Sequence, residues 1–325
     1  AAAAPTCTET GLTEGKHCSA CGEVLAAQEV VPALDHSYGD WNVTEPTYTA
    51  AGSQSKTCAL CGDVVTEEIP VLANPVTGWS ISLKDNIGVN FQMALAETDV
   101  VAVTVNGNAV DCTVTDGKFS VNVAAAQMMD EIAISVNGLP LANTYSVRKY
   151  ADTILADSTK SDCHELVKNM LVYGGAAQTY FGYNTTILAS NNIEVGAVAP
   201  IGDGEVEISD SLSAISFYGA TLVHETKTAV RFYFTGSVEG LTFTANDETV
   251  SVDKKNDMYY VEIAGINPQD LGNDVKVVVS DGTNELTVLY SPLDYIVRMY
   301  NKGGASAALV QALYGYYQAA VAYTA

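Results

Sequence analysis

The chain has 325 residues, 48% of them apolar, enough to fill two or three cores. Its 38 acidic side chains against 15 basic ones leave a formal charge of −23, which repels a phosphate backbone or an anionic lipid surface, so neither nucleic acid nor an anionic membrane is an expected partner. No run approaches the roughly 18–20 consecutive apolar residues that cross a bilayer, and Ala1 opens the sequence without a charged segment followed by a cleavable apolar one, as expected of a mature secreted chain or an excised fragment.

Residues 1–74 read as a domain of two Cys-rich units. Pro5-Thr6-Cys7-Thr8, Cys18-Ser19-Ala20-Cys21-Gly22 and Leu34-Asp35-His36 return as Pro46-Thr47-Tyr48-Thr49, Cys58-Ala59-Leu60-Cys61-Gly62 and Leu72-Ala73-Asn74. Units this short have almost no core and need a metal or a covalent staple. The first offers Cys7, Cys18, Cys21 and His36, three thiols and an imidazole suited to tetrahedral zinc in a ribbon-like fold, with Cys18-x-x-Cys21 as the chelating knuckle. In the second, Tyr48 and Asn74 stand where Cys7 and His36 were, leaving only the knuckle Cys58 and Cys61. Three arrangements are open: one zinc in the first unit; one four-thiolate site from both knuckles; or two local disulfides, which an oxidising exterior favours. In each the role is structural.

This unit resembles the "PTCT…CxxCG…GH.Y..W" repeats of large modular surface proteins secreted by anaerobic gut Firmicutes, carried here by Pro5-Thr6-Cys7-Thr8, Cys18-x-x-Cys21-Gly22 and His36-x-Tyr38-x-x-Trp41. The departures at Tyr48 and Asn74 speak against a second metal.

Asn74-Pro75 and Thr77-Gly78 mark a boundary, after which alternating apolar residues predict strands at 87–93, 101–105, 110–114, 119–123 and 132–136. Asn106-Gly107 and Asp116-Gly117 are the best hairpin turns, because both central positions of a type I′ turn want positive φ. Ser146 can cap a first helix, and Ser161 or Asp162 a second whose stripe is Leu166, Met170, Tyr173, Ala177 and Phe181. Gly174-Gly175 weakens that helix by about 1 kcal/mol per glycine relative to Ala, so a close backbone approach is expected there.

Residues 182–204, with Pro200 and Gly202-Asp203-Gly204, read as a linker. The second module then repeats the first: Lys227 to Phe234 falls on Asn86 to Met93, and 309–323 aligns with 166–180 without a gap. Pro292 sits early in the third helix, where its missing N–H is harmless. The expected architecture is therefore mainly β with α: two tandem antiparallel β-sandwich modules, 78–184 and 205–325, each followed by a pair of C-terminal helices. Cys112, read as lying on a strand, and Cys163, entering a helix, occur only in the first module and are candidates for a disulfide, the alternative being two small buried hydrophobes.

No Gly-x-Ser-x-Gly elbow, His-Glu-x-x-His helix, phosphate loop or dinucleotide fingerprint is present, and His164-Glu165 and His224-Glu225 lack a second histidine, so no enzyme activity is expected. Asp270 and Asp281 are among scattered loop acids without calcium-loop spacing. Aromatic residues are more suggestive: Tyr180, Tyr183, Tyr316, Tyr317 and Tyr323 cluster on the terminal helices and are candidate ligand contacts, while Tyr218, Tyr233 and their strand neighbours place one ring inward and one outward. Few Lys and Arg, with abundant Thr, Asn, Gly and Tyr, fit a secreted bacterial surface protein.

The stretch 166–184 is similar to the "LVKxMLxYGxAAQTYFGYN" modules of the same Firmicutes surface proteins. The resemblance implies an extracellular or cell-wall-associated, non-catalytic adhesin of a gut bacterium. Some proteins of this modular kind bind immunoglobulin as superantigens, which makes a host protein such as antibody the leading partner and a glycan the alternative.

Overall fold

Short turn-bounded strands at the N-terminus give the chain its first sheets, because units so poor in apolar residues can pair backbone but bury little. The structure, a computed structural model, describes residues 1–82, 86–199, 201, 206–224 and 228–325. Pro200, Gly202, Asp203 and Gly204 of the expected linker, with Glu225 and Lys227, lie outside the described residues. The chain forms two compact units, Ala1–Asn74 with Leu139–Ala142, and Pro75–Gly138 with Asn143–Ala325. The modules expected at 78–184 and 205–325 thus fall largely within one unit.

In the first unit, β1 (Gly11–Leu12) pairs with β4 (Val30–Val31), and β2 (Lys16–His17) with β3 (Val24–Ala26). Then β5 (Asn42–Thr44), β6 (Gly52–Thr57) and β7 (Val64–Ile69) form one three-stranded sheet. The two copies fold alike at their turns. A Cβ on Gly11 would lie 2.5 Å from Ala3 O and 2.6 Å from Pro5 N, and Gly52 meets the matching atoms of Thr44 and Pro46.

The second unit begins with β8 (Val76–Ser82), β9 (Gly88–Met93), β10 (Val101–Val105), β11 (Asn108–Val110), β12 (Lys118–Asn122), β13 (Ile132–Val136) and the last residues of β14 (Leu139–Tyr145), from Asn143 on. Helices α1 (Val147–Ala156) and α2 (His164–Phe181) follow. After them come β15 (Glu207–Asp210), β16 (Ile215–His224), β17 (Thr228–Gly236), β18 (Thr242–Ala245), β19 (Glu248–Thr249), β20 (Asp253–Lys255), β21 (Met258–Ala264), β22 (Val275–Ser280) and β23 (Glu285–Tyr290), then α3 (Pro292–Lys302) and α4 (Ala305–Thr324).

The duplication is visible in strand order. Sheet β11-β10-β13-β14 recurs as β19-β18-β22-β23 with β15 added, and β8-β9-β12 recurs as β16-β17-β21 with β20 added. Alternation sets the faces: Ile132, Ile134 and Val136 are buried on β13, as are Val275, Val277 and Val279 on β22. The two sheets of each half meet through the same ring pair. Phe91 on β9 lies edge-on to Tyr145 of β14 at 5.1 Å and 82°, and Phe232 on β17 edge-on to Tyr290 of β23 at 5.9 Å and 77°.

Asn106-Gly107 and Asp116-Gly117 take positive φ at both turn positions, as expected. The strand expected over 110–114 does not form. β11 ends at Val110, and the chain rejoins the sheet only at the Thr115–Lys118 bridge, so Cys112 is not on a strand.

Ser146 caps α1, its Oγ accepting from Lys149 N at 3.0 Å. At α3, Ser291 Oγ accepts from Asp294 N while Asp294 Oδ2 accepts from Ser291 N, with Pro292 in the first turn. Neither Ser161 nor Asp162 caps α2. Both lie in the 3-10 turn Ser158–Cys163, which Asp157 caps, and α2 starts directly from Cys163.

Along α2, Leu166, Met170, Tyr173 and Ala177 are buried, but Phe181 is 52% exposed because the helix outruns the structure packed on it. Its partner is α4. Tyr173 stacks on Tyr316 at 6.0 Å and 19°, and these residues are counterparts in the 166–180 and 309–323 alignment. The expected linker is partly docked: Ala189 is fully buried, Gln178 Oε1 accepts from its N–H, and Arg148 donates to its carbonyl.

The Gly-Gly step permits that docking. A Cβ on Gly174 would lie 2.6 Å from Met128 Sδ and 3.2 Å from Ala125 O, and one on Gly175 would collide with the Ser190 side chain and lie 3.0 Å from Ser190 N. Gly175→Ala should therefore cost stability, about 1–3 kcal/mol from overpacking, although helix propensity alone favours Ala by about 1 kcal/mol. Gly196→Ala, where a Cβ meets nothing within 4 Å, should be near neutral. Thermal unfolding of both variants checks this; a stabilised Gly175→Ala would refute the close approach.

Candidate functional site

In the first unit, backbone pairing decides which thiols meet. Leu34 N donates to Thr6 O at 2.9 Å, which carries Cys7 alongside the segment leading to His36. Gly39 N donates to Thr57 O, Ala59 N donates to Ser37 O at 2.9 Å, and Tyr38 bridges Cys58, so the same segment lies against the second knuckle. The knuckle is a tight turn: Cys58 N donates to Asp63 O and Gly62 N to Cys58 O, with Gly62 at φ 77°.

The result is a cluster of Cys7, His36, Cys58 and Cys61, whose ligand atoms all lie within 4.8 Å of one another and can hold a metal ion. Cys7 Sγ and Cys58 Sγ are 3.8 Å apart, and Cys61 Sγ is 3.4 Å from His36 Nδ1. This corrects the expected set. Cys7 and His36 do come together, but Cys18 and Cys21 of their own unit are not with them, and the second unit's knuckle takes their place. A four-thiolate site from both knuckles is not formed either.

Burial pushes the Cys7 thiol up to about 12, helped by the neighbouring Cys61 and Cys58. Burial acts upward on Cys58 as well, but the His36 contact and the amides of Cys61 and Leu60 outweigh it and hold that thiol near 6. The side chains around the cluster explain the rest of the repeat pattern. Tyr38 stacks on His36 at 5.2 Å and donates its hydroxyl to Asp63 Oδ2 at 2.7 Å, a bond that lifts the Tyr38 hydroxyl to about 12. Lys56 sits 5.0 Å from the Tyr38 ring and 4.5 Å from that of Trp41. Lys56 and Asp63 were not expected contributors, since neither has a ligand spacing to betray it.

All seven cysteines are free thiols, so the Cys112–Cys163 bridge is not formed. The Cys163 thiol turns back into its own 3-10 turn, donating to Lys160 O at 3.2 Å. The loop acids Asp270 and Asp281 bind their own turns: Asp270 accepts from Asn267 and Asn273, and Asp281 from Thr283 and Asn284. His164 Nε2 contacts Ile154 O and Asp157 O, a structural use.

In the second unit, the end of α2 leaves a groove of about 710 Å³ against β16, β17 and α3. Tyr180, Phe181, Tyr183, Tyr233 and Tyr295 line it, with Arg231 and Lys255 as its cations. Phe181 stands edge-on to Tyr180 at 5.0 Å and 84°. Tyr233 points outward while Phe232 and Phe234 are buried, as strand alternation requires. Of the expected contacts, Tyr180 and Tyr183 are in this groove. Tyr316 is not a contact: it is 1% exposed, packed on Tyr173 because the stripe of α4 faces α2. Tyr317 is half-buried with its ring over Gly272, and Tyr323 is exposed near the end of α4. Sequence reasoning missed Arg231, Lys255 and Tyr295 as groove residues, since strand and helix periodicity place them on faces without saying what those faces meet.

No known family's sequence profile matches the chain, and none of the curated proteins matches it. Among solved structures it is similar to a polysaccharide lyase at 10% identity and a TM-score of 0.16, over 90% of this chain and 42% of that one. A likeness this slight carries no argument about fold or activity. Among the described residues, no helix is long and apolar enough to cross a membrane.

Behind the groove, Tyr183 donates its hydroxyl to the buried Asp130 Oδ2 at 2.6 Å, while Asp130 Oδ1 has no hydrogen-bond partner. Burial raises the Asp130 pKa above the usual carboxylate range, against the pull of Tyr183 and Gln127. The folded protein therefore holds this proton more tightly than the unfolded chain, and stability is lost as rising pH ionises the group. Asp130→Asn should unfold at a higher temperature than the parent at neutral pH, the gap closing as pH falls below about 4. Thermal melts across that range test it; a gap that persists in acid would show that ionisation is not the cause.

Proposed function

We propose that this chain is a non-catalytic binding module of an extracellular, cell-wall-associated bacterial surface protein, with a host protein, immunoglobulin first, as its ligand. Its second unit works as two antiparallel β-sandwiches with paired C-terminal helices, and its first as a zinc-stapled spacer. The observation that carries the reading is the groove in which Tyr180, Phe181, Tyr233 and Arg231 converge on one concave face. Tyr, Phe and Arg are enriched at protein interfaces, the aromatic rings because they give large contact area for little rotamer entropy and Arg because its planar fork makes several hydrogen bonds at once. A carbohydrate is the second reading. The groove's volume lies within the range of small-ligand sites, and tyrosine faces stack on sugar rings.

Zinc suits the cluster by size as well as by donor type. Tetrahedral bonds of about 2.3 Å to sulfur and 2.0 Å to nitrogen give S···S near 3.8 Å and S···N near 3.5 Å. The Cys7–Cys58 sulfurs at 3.8 Å and the Cys61–His36 contact at 3.4 Å match these values, and all four ligand atoms lie within 4.8 Å of one another. With four protein donors the coordination shell is full, which makes the role structural: Cys7, His36, Cys58 and Cys61 would hold the ion and tie the two small units together.

Protein purified without added zinc should contain about one ion per chain, and Cys58→Ser with Cys61→Ser should contain none. Metal analysis decides it, and a metal-free parent would end the proposal. For the ligand, pull-down from serum immunoglobulin is run beside a glycan array. Antibody retention with a blank array supports the first reading, the converse the second, and blanks in both refute the module as described. Tyr180→Ala with Tyr233→Ala should weaken whichever binding appears by about 10–30-fold, and Tyr323→Ala should not.

A further inference from the structure

The first unit's knuckle has the same build as the second's. Cys18 N donates to Glu23 O and Gly22 N to Cys18 O, both at 2.8 Å, as Cys58 N and Gly62 N do at 2.8 and 2.9 Å. Gly22 and Gly62 stand at φ 76° and 77°. Yet Cys18 is only half-buried and Cys21 exposed, and the Cys7 and His36 of their own unit are already committed to Cys58 and Cys61.

The other half of the pattern is present too. Leu72 N donates to Thr47 O at 3.0 Å, repeating the Leu34–Thr6 bond at 2.9 Å that carries Cys7 and His36. The two places beside that bond are filled by Tyr48 and Asn74, neither of which offers a thiol or an imidazole. The one intact Cys/His pair in this chain sets the rule: it is completed by the knuckle of the unit after it. By that rule the second unit, lacking the pair, passes nothing on, while the first unit's knuckle is built to receive.

We propose that Cys18 and Cys21 are half of a second zinc site, completed when another repeat unit supplies a cysteine and a histidine from the places that Cys7 and His36 hold here. The partner is defined by chemistry: a unit of this kind with that Cys/His pair intact, docking its end segment on the first knuckle. On binding, the ion displaces the protons of three thiols to solvent and takes a neutral imidazole as fourth ligand, with no oxidation or reduction. The proposal rests on the zinc reading of Cys7, His36, Cys58 and Cys61, and the test separates the two.

The full chain is extended by a second copy of residues 1–41 joined ahead of Ala1, with Cys18→Ser and Cys21→Ser in the added copy. With Trp41 of the added copy joined directly to Ala1, Pro5 follows that Trp41 at the same spacing at which Pro46 follows Trp41 in the chain. Under reducing conditions with zinc, the extended chain should hold about two ions against about one for the parent, and Cys18 and Cys21 should become protected from alkylation about tenfold or more. An added copy that also carries Cys7→Ser and His36→Asn should restore one ion and full alkylation. As a second arm, a full chain with Cys58→Ser and Cys61→Ser, whose Cys7 and His36 have lost their knuckle, is mixed with the parent and zinc, and should protect Cys18 and Cys21 in trans. Protection in either arm supports the proposal. A parent with one ion and unprotected Cys18 and Cys21 in both arms overturns it, whereas a parent with no ion overturns the zinc reading itself.

Discussion

Tyr173 lies flat against Tyr316, and each is the other's counterpart in the duplicated sequence. A contact between equivalent residues is what an approximate two-fold relation between copies produces, since the same face must be complementary to itself. The surroundings share the relation: Gly315 of α4 approaches Asn169 of α2, and their counterparts Val172 and Ala312 line one cleft of about 500 Å³ beside the same helices. The second unit thus closes its interior by pairing copies. Stacked rings of this kind contribute about 0.5–1.5 kcal/mol beyond the apolar area they bury.

The first unit meets the same need with different chemistry. Its buried residues are few, Cys7 and Cys58 chief among them, so apolar burial cannot hold it together. What it has is a crossing of backbone segments, Thr6 with Leu34 and Ser37 with Ala59, that gathers four metal-ligating side chains from two copies. In both units the copy is incomplete alone. Where helices are available, completion comes from rings and glycines; where only short strands are, it comes from sulfur and imidazole.

The groove follows from where α2 and α4 stop covering one another. Tyr180 and Phe181 continue the helix beyond its packed stripe, and the sheet carrying Arg231 and Tyr233 supplies the opposite wall. Arg231 is itself fixed, paired with Glu262 at 2.6 Å and lying over the Tyr260 ring. A wall whose cation is held by an ion pair and a ring loses little side-chain freedom when a ligand arrives.

Much of this was legible in the residues themselves. Strand alternation put the neighbouring rings of Phe232, Tyr233 and Phe234 on opposite faces, the Asn-Gly and Asp-Gly turns fell where two positive φ values were needed, and Ser146 and Pro292 marked helix starts. These are local effects, fixed by a residue and its nearest neighbours along the chain. The duplication too was readable, because copying leaves its trace in one dimension. What the sequence could not decide was which copy answers which: that Cys7 and His36 meet Cys58 and Cys61 rather than Cys18 and Cys21, that Tyr316 is buried by Tyr173 instead of facing a ligand, and that Cys163 donates to Lys160 O instead of bonding Cys112. Those outcomes depend on hydrogen bonds and packing between segments tens of residues apart. Spacing along the chain says which side chains share a face, and only the folded backbone says what that face is pressed against.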